Sequence, residues 1–216
     1  MRPFRPADRE AVFRIAADTA FYGAPVEAML EDRRLFCDAF YAYYTDFEPE
    51  RGWVAEVRDE GRARAVGFLM GSTDPARRRR AVRELIAGAA RRALGGGYRL
   101  GPKTWCYALA LLGQALRREL PAADPQLYPA HLHINLEAAW RGQGLGRGLM
   151  CAYLDQLRAL GLPGVHLHTT SLNKAACRLY EKVGFQLLDA RPTALPAALG
   201  LGRFENRCYG LRLPGA

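Results

Sequence analysis

The sequence predicts a mixed α/β protein whose sheet contains at least one parallel crossover. Three observations carry this prediction: strand-like and helix-like segments alternate along the second half of the chain, glycine-rich turns separate them, and half of the 216 residues are apolar. A strand, a helix and another strand in succession favour a parallel pair joined by a crossover. Half of the residues are apolar and a quarter are charged, which is the composition of a globular protein and excludes disorder and collagen-like repetition.

The first half is predicted to contain helices followed by a β-hairpin. Apolar residues recur near the 3.6-residue period up to about Phe47, and Gly23 and Pro25 separate two helices. Two short apolar stretches, WVAEV and AVGFLMG, then predict a hairpin over residues 53–70.

Two further helices are predicted before the next strand. The helix at 75–94 is strongly basic and ends at three consecutive glycines, and a second helix covers 105–120. We expect this helical, basic insertion, about residues 76–127, to belong to one domain that spans residues 1–216.

The second half alternates between strands and helices. The predicted elements are strands at 131–136, 165–169, 185–189 and 208–213, and helices at 145–160 and 173–182. A loop rich in alanine, proline and glycine precedes the last strand.

Composition also narrows the cellular setting. No apolar run approaches the roughly 18 residues of a membrane span, and the amino terminus is too charged for a signal peptide, so no membrane association and a cytoplasmic location are expected. Five widely spaced cysteines without a CxxC pair suggest neither a disulfide framework nor a structural zinc site.

The basic excess is local. Between Arg77 and Arg118 there are eleven basic residues and one acid, a net charge of +10, while the rest of the chain carries −1. A nucleic-acid surface is one interpretation, but a solvated arginine-rich face is commoner and no nucleic-acid motif accompanies it, so no nucleic-acid partner is expected. A homodimer stays open.

A glycine-rich segment, AWRGQGLGRG at 139–148, lies between a predicted strand and a predicted helix. Backbone N–H groups and the positive end of a helix converge at such a turn and favour an anion, and Arg141 and Arg147 add charge. The G-x-G-x-x-G spacing of dinucleotide sites fails because Arg147 takes the sixth position from Gly142, and no P-loop Gly-Lys-Ser/Thr is present. A turn that serves only packing stays open.

Two segments carry a family resemblance. The stretch from Arg141 to Gly146 resembles the R/Q-x-x-G-x-G/A signature of the Gcn5-related N-acetyltransferases (GNAT), and the stretch from Asn173 to Phe185 resembles their N-x-x-A-x-x-x-Y-x-x-x-G-F helix and strand. The resemblance implies a GNAT-like acyltransferase fold with a helical insertion before the fourth strand. In that fold the basic insertion would border the bound coenzyme, where an arginine meets its 3′-phosphate, or cover the acceptor site. The chain is also similar to the acetyltransferase-like domain of some O-GlcNAcases, so a catalytically silent coenzyme-binding module is the alternative.

The resemblance further implies acetyl-CoA as the acetyl donor, no metal, and a primary amine of a small molecule or a lysine as the acceptor. Tyr180 would stand beside the coenzyme sulfur and protonate the leaving thiolate, although packing of one helix face is the other interpretation. The residues implied for acetyl-CoA are Ile134, Asn135, Leu136, Arg141, Gly142, Gln143, Gly144, Leu145, Gly146, Arg147 and Asn173.

All four histidines lie in two predicted strands, as His131-x-His133 and His166-x-His168, so each pair shares a face. An imidazole can accept the proton that an attacking amine loses. The His-Leu-His strand also resembles that of the arylalkylamine N-acetyltransferases, which implies His133 as the base with His131 in support. Glu137 is a second candidate base. Hydrogen-bonded strand residues, or a metal site that lacks a carboxylate ligand, are the alternatives.

Overall fold

The computed structural model of the chain describes residues 1–21, 23–59, 61–193 and 202–214. Its helices are α1 (Arg9–Asp18), α2 (Arg33–Phe40), α3 (Ala42–Asp46), α4 (Pro75–Leu94), α5 (Pro102–Leu116), α6 (Leu145–Ala159) and α7 (Lys174–Val183). Its strands are β1 (Arg2–Pro3), β2 (Gly52–Asp59), β3 (Arg62–Ser72), β4 (Ala130–Leu136), β5 (Gly164–Thr170), β6 (Gln186–Pro192) and β7 (Glu205–Arg212).

These strands form one seven-stranded sheet in the order β1-β2-β3-β4-β5-β7-β6. Within it, β4 and β5 run parallel, joined through α6, and the other neighbouring pairs are antiparallel. The prediction of a mixed α/β sheet with a parallel crossover is therefore confirmed.

Several boundaries differ from the predicted ones. The second amino-terminal helix is divided into α2 and α3 at Tyr41. Helix α5 begins at Pro102, where Gly101 is the N-cap and proline occupies the first helical position, and it ends at Leu116. Strand β1 was not predicted because two residues carry no periodicity. Most of the loop predicted before the last strand, residues 194–201, lies outside the described residues.

Apolar clusters cover both faces of the sheet. Under α6 and α7, Leu132 of β4 and Leu167 of β5 pack with Tyr153 of α6, as the alternation along the two histidine strands predicts. On the opposite face, α1 to α3 pack on β2 and β3, with Ile15 and Phe68 fully buried. The sheet is thus the middle layer of a three-layer arrangement.

Strands β4 and β5 separate soon after they begin. Their paired residues are Ala130 with Val165 and His131 with His166, and the ladder then stops. The remainder of β4 stays paired with β3 alone, through Leu136 opposite Gly67. An opening therefore forms in the middle of the sheet, towards the carboxyl ends of β4 and β5.

The insertion between β3 and β4 consists of α4 and α5. Helix α4 packs on α2 and α3. The first turn of α5 is fixed by Glu31, whose carboxylate accepts from the backbone N–H groups of Lys103 at 2.8 Å and Thr104 at 2.9 Å. None of the helices in the described ranges is both long and apolar enough to span a membrane.

Candidate active site

A cavity of about 720 Å³ occupies the opening between β4 and β5. Of the residues predicted for the site, those that line it are His133, Ile134, Asn135, Leu136, Arg141, Gly142, Gly144, Gly146, Arg147, Asn173 and Tyr180. Three predicted residues lie outside this lining. His131 is buried behind His133, Leu145 packs against the apolar cluster under α6, and the Gln143 amide donates to Ala139 O.

The glycine turn enters α6 in a conformation that favours glycine. Gly142 and Gly144 have φ values of +77° and +82°, and Gly144 is the N-cap of α6. A Cβ on Gly146 would lie 3.1 Å from Leu179 and 3.2 Å from Leu136, so the turn also packs closely on its neighbours. The backbone N–H groups of the first turn of α6 have no acceptor within the helix, which makes this end of the cavity an anion site.

Four cationic side chains line the same cavity: Arg141, Arg147, Arg178 and Lys182. Arg141 Nε donates to Leu136 O at 3.1 Å, which fixes its guanidinium across the end of β4. The sequence reading missed Arg178 and Lys182, although their spacing of four residues places both on one face of α7. In the basic segment 77–118, the described residue that lines this cavity is Tyr107. A contact between an arginine of this segment and the coenzyme stays a prediction.

Strand β4 presents to the cavity a backbone edge that β5 does not pair with, where Leu136 O accepts from Arg141 Nε. Glu137 N–H bonds to Val66 O of β3 at 2.9 Å, and backbone polar groups alternate sides along a strand. The N–H and C=O groups of Ile134 and Leu136 therefore point away from β3, towards the space that β5 has left. An extended ligand chain can pair with this edge.

Polar side chains at the end of β5 and the start of α7 line the cavity. Thr170 Oγ1 is buried and has no hydrogen-bond partner among the described residues. Asn173 caps α7 by accepting from Ala176 N–H at 3.3 Å through its carbonyl oxygen, and its NH2 group stays available to the cavity. The glycine turn, the cations, the open strand edge and these polar groups together fit a long anionic ligand such as acetyl-CoA.

Tyr180 reaches the cavity from α7. Its ring packs 5.9 Å from that of Tyr209 and 6.1 Å from that of Phe185, measured between centroids, and the residue is 5% exposed. Burial raises the pKa of its hydroxyl, so Tyr180 keeps its proton at neutral pH. Its hydroxyl is therefore a hydrogen-bond donor.

His133 lies between two tyrosine rings, with centroids 5.5 Å from Tyr41 and 5.1 Å from Tyr44. Burial, followed by the charge of Arg78, lowers the pKa of His133 to about 3, so its imidazole is neutral at neutral pH. The Nδ1 atom of His131 lies 3.1 Å from the Tyr44 hydroxyl, and burial lowers its pKa as well.

Sequence reading missed these tyrosines. Tyr41 also donates to the Asn135 side chain at 3.3 Å and lines the cavity. The available signal was the spacing of three residues between Tyr41 and Tyr44, which puts both on one helical face.

Glu137 is not placed to act as a base. Its carboxylate accepts from Arg14 Nη1 at 2.6 Å and from Arg64 Nη2 at 2.7 Å, and its side chain is 14% exposed. Two guanidinium groups hold the negative charge, so the earlier expectation of a second candidate base is withdrawn.

Comparison with known proteins gives a consistent result. The model of the acetyltransferase (GNAT) family matches residues 125–185. The crystal structure of SsHAT is 32% identical, with a TM-score of 0.66, over 98% of this chain and 96% of that one. The yncA structure from Salmonella typhimurium, determined with acetyl-CoA, shares the fold at 16% identity, with a TM-score of 0.54 over 100% of this chain and 94% of that one.

Among curated sequences, mycothiol acetyltransferase of Nocardiopsis dassonvillei is 48% identical over 56 residues. That match covers 26% of this chain and 17% of that protein. The chain thus spans less than a quarter of the length of the curated relatives it matches.

Proposed function

Because the chain belongs to the acetyltransferase (GNAT) family, we propose that it transfers the acetyl group of acetyl-CoA directly to a primary amine. The observation that carries this proposal is the meeting of the glycine turn, the open edge of β4 and the protonated Tyr180 in one cavity. Each of the three serves a different part of the same donor: its phosphates, its extended arm and its thioester.

The donor is held by backbone and charge. The first-turn amides of α6 and the guanidinium of Arg147 bind the pyrophosphate, and the edge at Ile134 and Leu136 pairs with the pantetheine amides. Asn173 holds the same arm. Arg178 and Lys182 add positive charge beside the glycine turn and favour the nucleotide phosphate.

In the transfer step the amine nitrogen forms a bond to the thioester carbon, and the carbon–sulfur bond breaks. His133 takes the proton that the nitrogen loses, and Tyr180 gives its proton to the departing thiolate. His131 is a positioning residue, because its ring packs 4.8 Å from that of His133 at the back of the cavity. Free backbone N–H groups of β4 stabilise the oxyanion.

The cavity favours an acceptor with one amine on an apolar body. Its acceptor end is lined by the aromatic rings of Phe21, Tyr41 and Tyr107. Among the described residues that line the cavity, no side chain is acidic. Polyamines and aminoglycosides therefore find no counter-charge there, whereas an arylalkylamine or an exposed lysine side chain finds aromatic surface.

The test is thiol release from acetyl-CoA with a panel of arylalkylamines, polyamines, amino sugars, aminoglycosides and lysine peptides. Turnover with an apolar monoamine or lysine, reduced in Tyr180→Phe and in His133→Gln, is the expected result. Calorimetric binding of acetyl-CoA is measured in parallel. Binding without turnover on any acceptor would identify the silent coenzyme-binding module instead.

A further inference from the structure

We propose that His131, His166 and His168 form a binding site for one divalent transition-metal ion of the Zn²⁺ type. One ring nitrogen of each histidine lies within 4.8 Å of those of the other two. His166 and His168 point to one side of β5 because they are two residues apart, and His131 is the β4 residue paired with His166. The proposal does not depend on acetyl transfer.

Hydrogen bonds already set the protonation of two of these rings. His166 Nδ1 lies 2.8 Å from Tyr128 O, and His168 Nε2 lies 2.9 Å from Pro121 O. A backbone carbonyl only accepts, so both ring atoms carry hydrogen, and the lone pair of each ring is on its other nitrogen. Metal-binding imidazoles commonly donate their second nitrogen to a carbonyl in this way, which fixes the ring and its tautomer.

His131 has a corresponding partner. Its Nδ1 atom lies 3.1 Å from the Tyr44 hydroxyl, whose oxygen can accept from an Nδ1–H group. Nε2 of His131 is then the ligand atom. All three imidazoles thus have an outer hydrogen-bond partner supplied by the surrounding fold.

The donor set decides the class of ion. Three imidazole nitrogens suit Zn²⁺, Co²⁺, Ni²⁺ or Cu²⁺, whereas Mg²⁺ and Ca²⁺ require oxygen ligands. Zn–N bonds are about 2.1 Å long, so the rings must close in by about 1 Å to bind one ion tetrahedrally. His131 and His166 are the last paired residues of the β4–β5 ladder, so the rings stand where the two strands separate.

Charge limits the affinity of the site. No ligand is anionic, and the positive charge of Arg78 acts on all three histidines. A fourth ligand that is anionic, such as hydroxide, would offset this charge. Because His168 lines the cavity, the fourth coordination position would face the cavity. Three histidines with one solvent-derived ligand also form the metal site of carbonic anhydrase.

The ion would join β4 to β5 at the point where the two strands part. Bound metal is therefore expected to raise the thermal midpoint of unfolding as well as to give a spectroscopic signal.

The experiment uses the full chain without an affinity tag, stripped with a chelator and titrated with Co²⁺. We expect one Co²⁺ per chain, with the intense visible absorption of a four-coordinate ion, and its displacement by Zn²⁺. His166→Gln and His168→Gln should each weaken binding at least tenfold. His133→Gln is the matched control, because this ring belongs to the same histidine cluster but is not one of the proposed ligands, and it should retain binding.

Three results would overturn the proposal. The first is that Co²⁺ does not bind stoichiometrically, and the second is that binding persists unchanged in His168→Gln. The third is a thiolate-to-cobalt charge-transfer band, which would assign the ion to an exposed cysteine such as Cys106 or Cys151. His168 is itself an exposed residue, so its variant is expected to fold, and circular dichroism checks this.

Discussion

At the scale of single residues, burial determines which side chains can give or accept a proton. Burial raises the pKa of Tyr180 and lowers that of His133, so each is held in its neutral form. A neutral phenol donates and a neutral imidazole accepts. One cavity therefore holds a hydrogen-bond donor and a hydrogen-bond acceptor. The burial that keeps His133 neutral also makes its imidazole a weaker base than a free histidine, so proton removal by His133 stays a prediction.

Replacing Tyr180 with phenylalanine should separate chemistry from binding. We expect kcat to fall by about 100-fold while KM for acetyl-CoA stays within about twofold, because the ring still packs but cannot donate a proton. Tyr209→Phe is the control, since its ring packs against Tyr180 while its hydroxyl donates to Glu181 at 3.0 Å. Equal losses in the two variants would attribute the effect to packing.

Glu137→Gln should affect stability more than catalysis. The substitution removes the charge that Arg14 and Arg64 share, and we expect the free energy of unfolding to drop by about 1 kcal/mol, as partly exposed ion pairs contribute little. Urea denaturation measures this change, and kcat should remain within about threefold. A 100-fold loss of kcat would restore Glu137 as a candidate base.

At the scale of elements, two segments contribute to the lining of the cavity: the turn that begins α6 and the inserted helix α5. The turn depends on backbone conformation, because Gly144 has a positive φ as the N-cap. The Glu31 carboxylate holds the first turn of α5. Helix α5 brings Tyr107 to the cavity, where its ring meets that of Phe21 edge-on at 5.4 Å. The glycine-lined part and the aromatic part of the cavity are thus set by different elements.

Gly144→Ala should weaken binding of acetyl-CoA. Alanine at φ +82° costs about 1–2 kcal/mol, and relief of this strain moves the amides that face the phosphates. Gly161→Ala is the matched control variant. Gly161 also has a positive φ, +67°, and an added Cβ would have nothing within 4 Å, but this residue does not line the cavity. Both variants should lose stability by similar amounts, and calorimetry should find weaker coenzyme binding for Gly144→Ala alone.

Acid should release α5 before the rest of the protein. The Thr104 hydroxyl, followed by the backbone N–H groups of Lys103 and Thr104, lowers the pKa of Glu31 from 4.5 to about 2. A lowered pKa in the folded state stabilises the protein above pH 4.5, and this contribution is lost as the pH falls from 4.5 towards 2. Protection of the amides of 102–116, measured relative to the intrinsic exchange rate at each pH, should therefore fall over this range.

At neutral pH, Glu31→Gln should reproduce this release of α5. It should raise KM for the amine and leave KM for acetyl-CoA unchanged. Unaltered exchange in the variant would show that other contacts hold α5.

At the scale of the whole molecule, positive charge is distributed unevenly. The chain carries a formal net charge of +9, and Arg141, Arg147, Arg178 and Lys182 surround one cavity. Such a field attracts an anionic donor and disfavours a polycationic acceptor. The charge of the cavity thus agrees with an acetyl-CoA donor and an amine with few charges.

Salt should therefore affect the two substrates differently. At an ionic strength of 1 M the Debye length is only about 3 Å, so the charges of the cavity are screened. Raising the salt concentration from a low value to 1 M should therefore lower kcat/KM for acetyl-CoA several-fold. The value for a monoamine should change little, because the acceptor end is aromatic. Steady-state kinetics across a salt series measures both, and equal sensitivity would contradict the separation of charge along the cavity.

Local signals in the sequence determined the element types, the mixed sheet with its crossover and the glycine turn at 142–146. These features follow from short-range periodicity and backbone preference, which neighbouring residues encode. Tertiary structure alone decided that Tyr44 packs on His133, that Arg14 and Arg64 hold Glu137, and where β4 leaves β5. Those contacts join residues far apart in the chain, and they depend on how helices and strands pack, which no local pattern records.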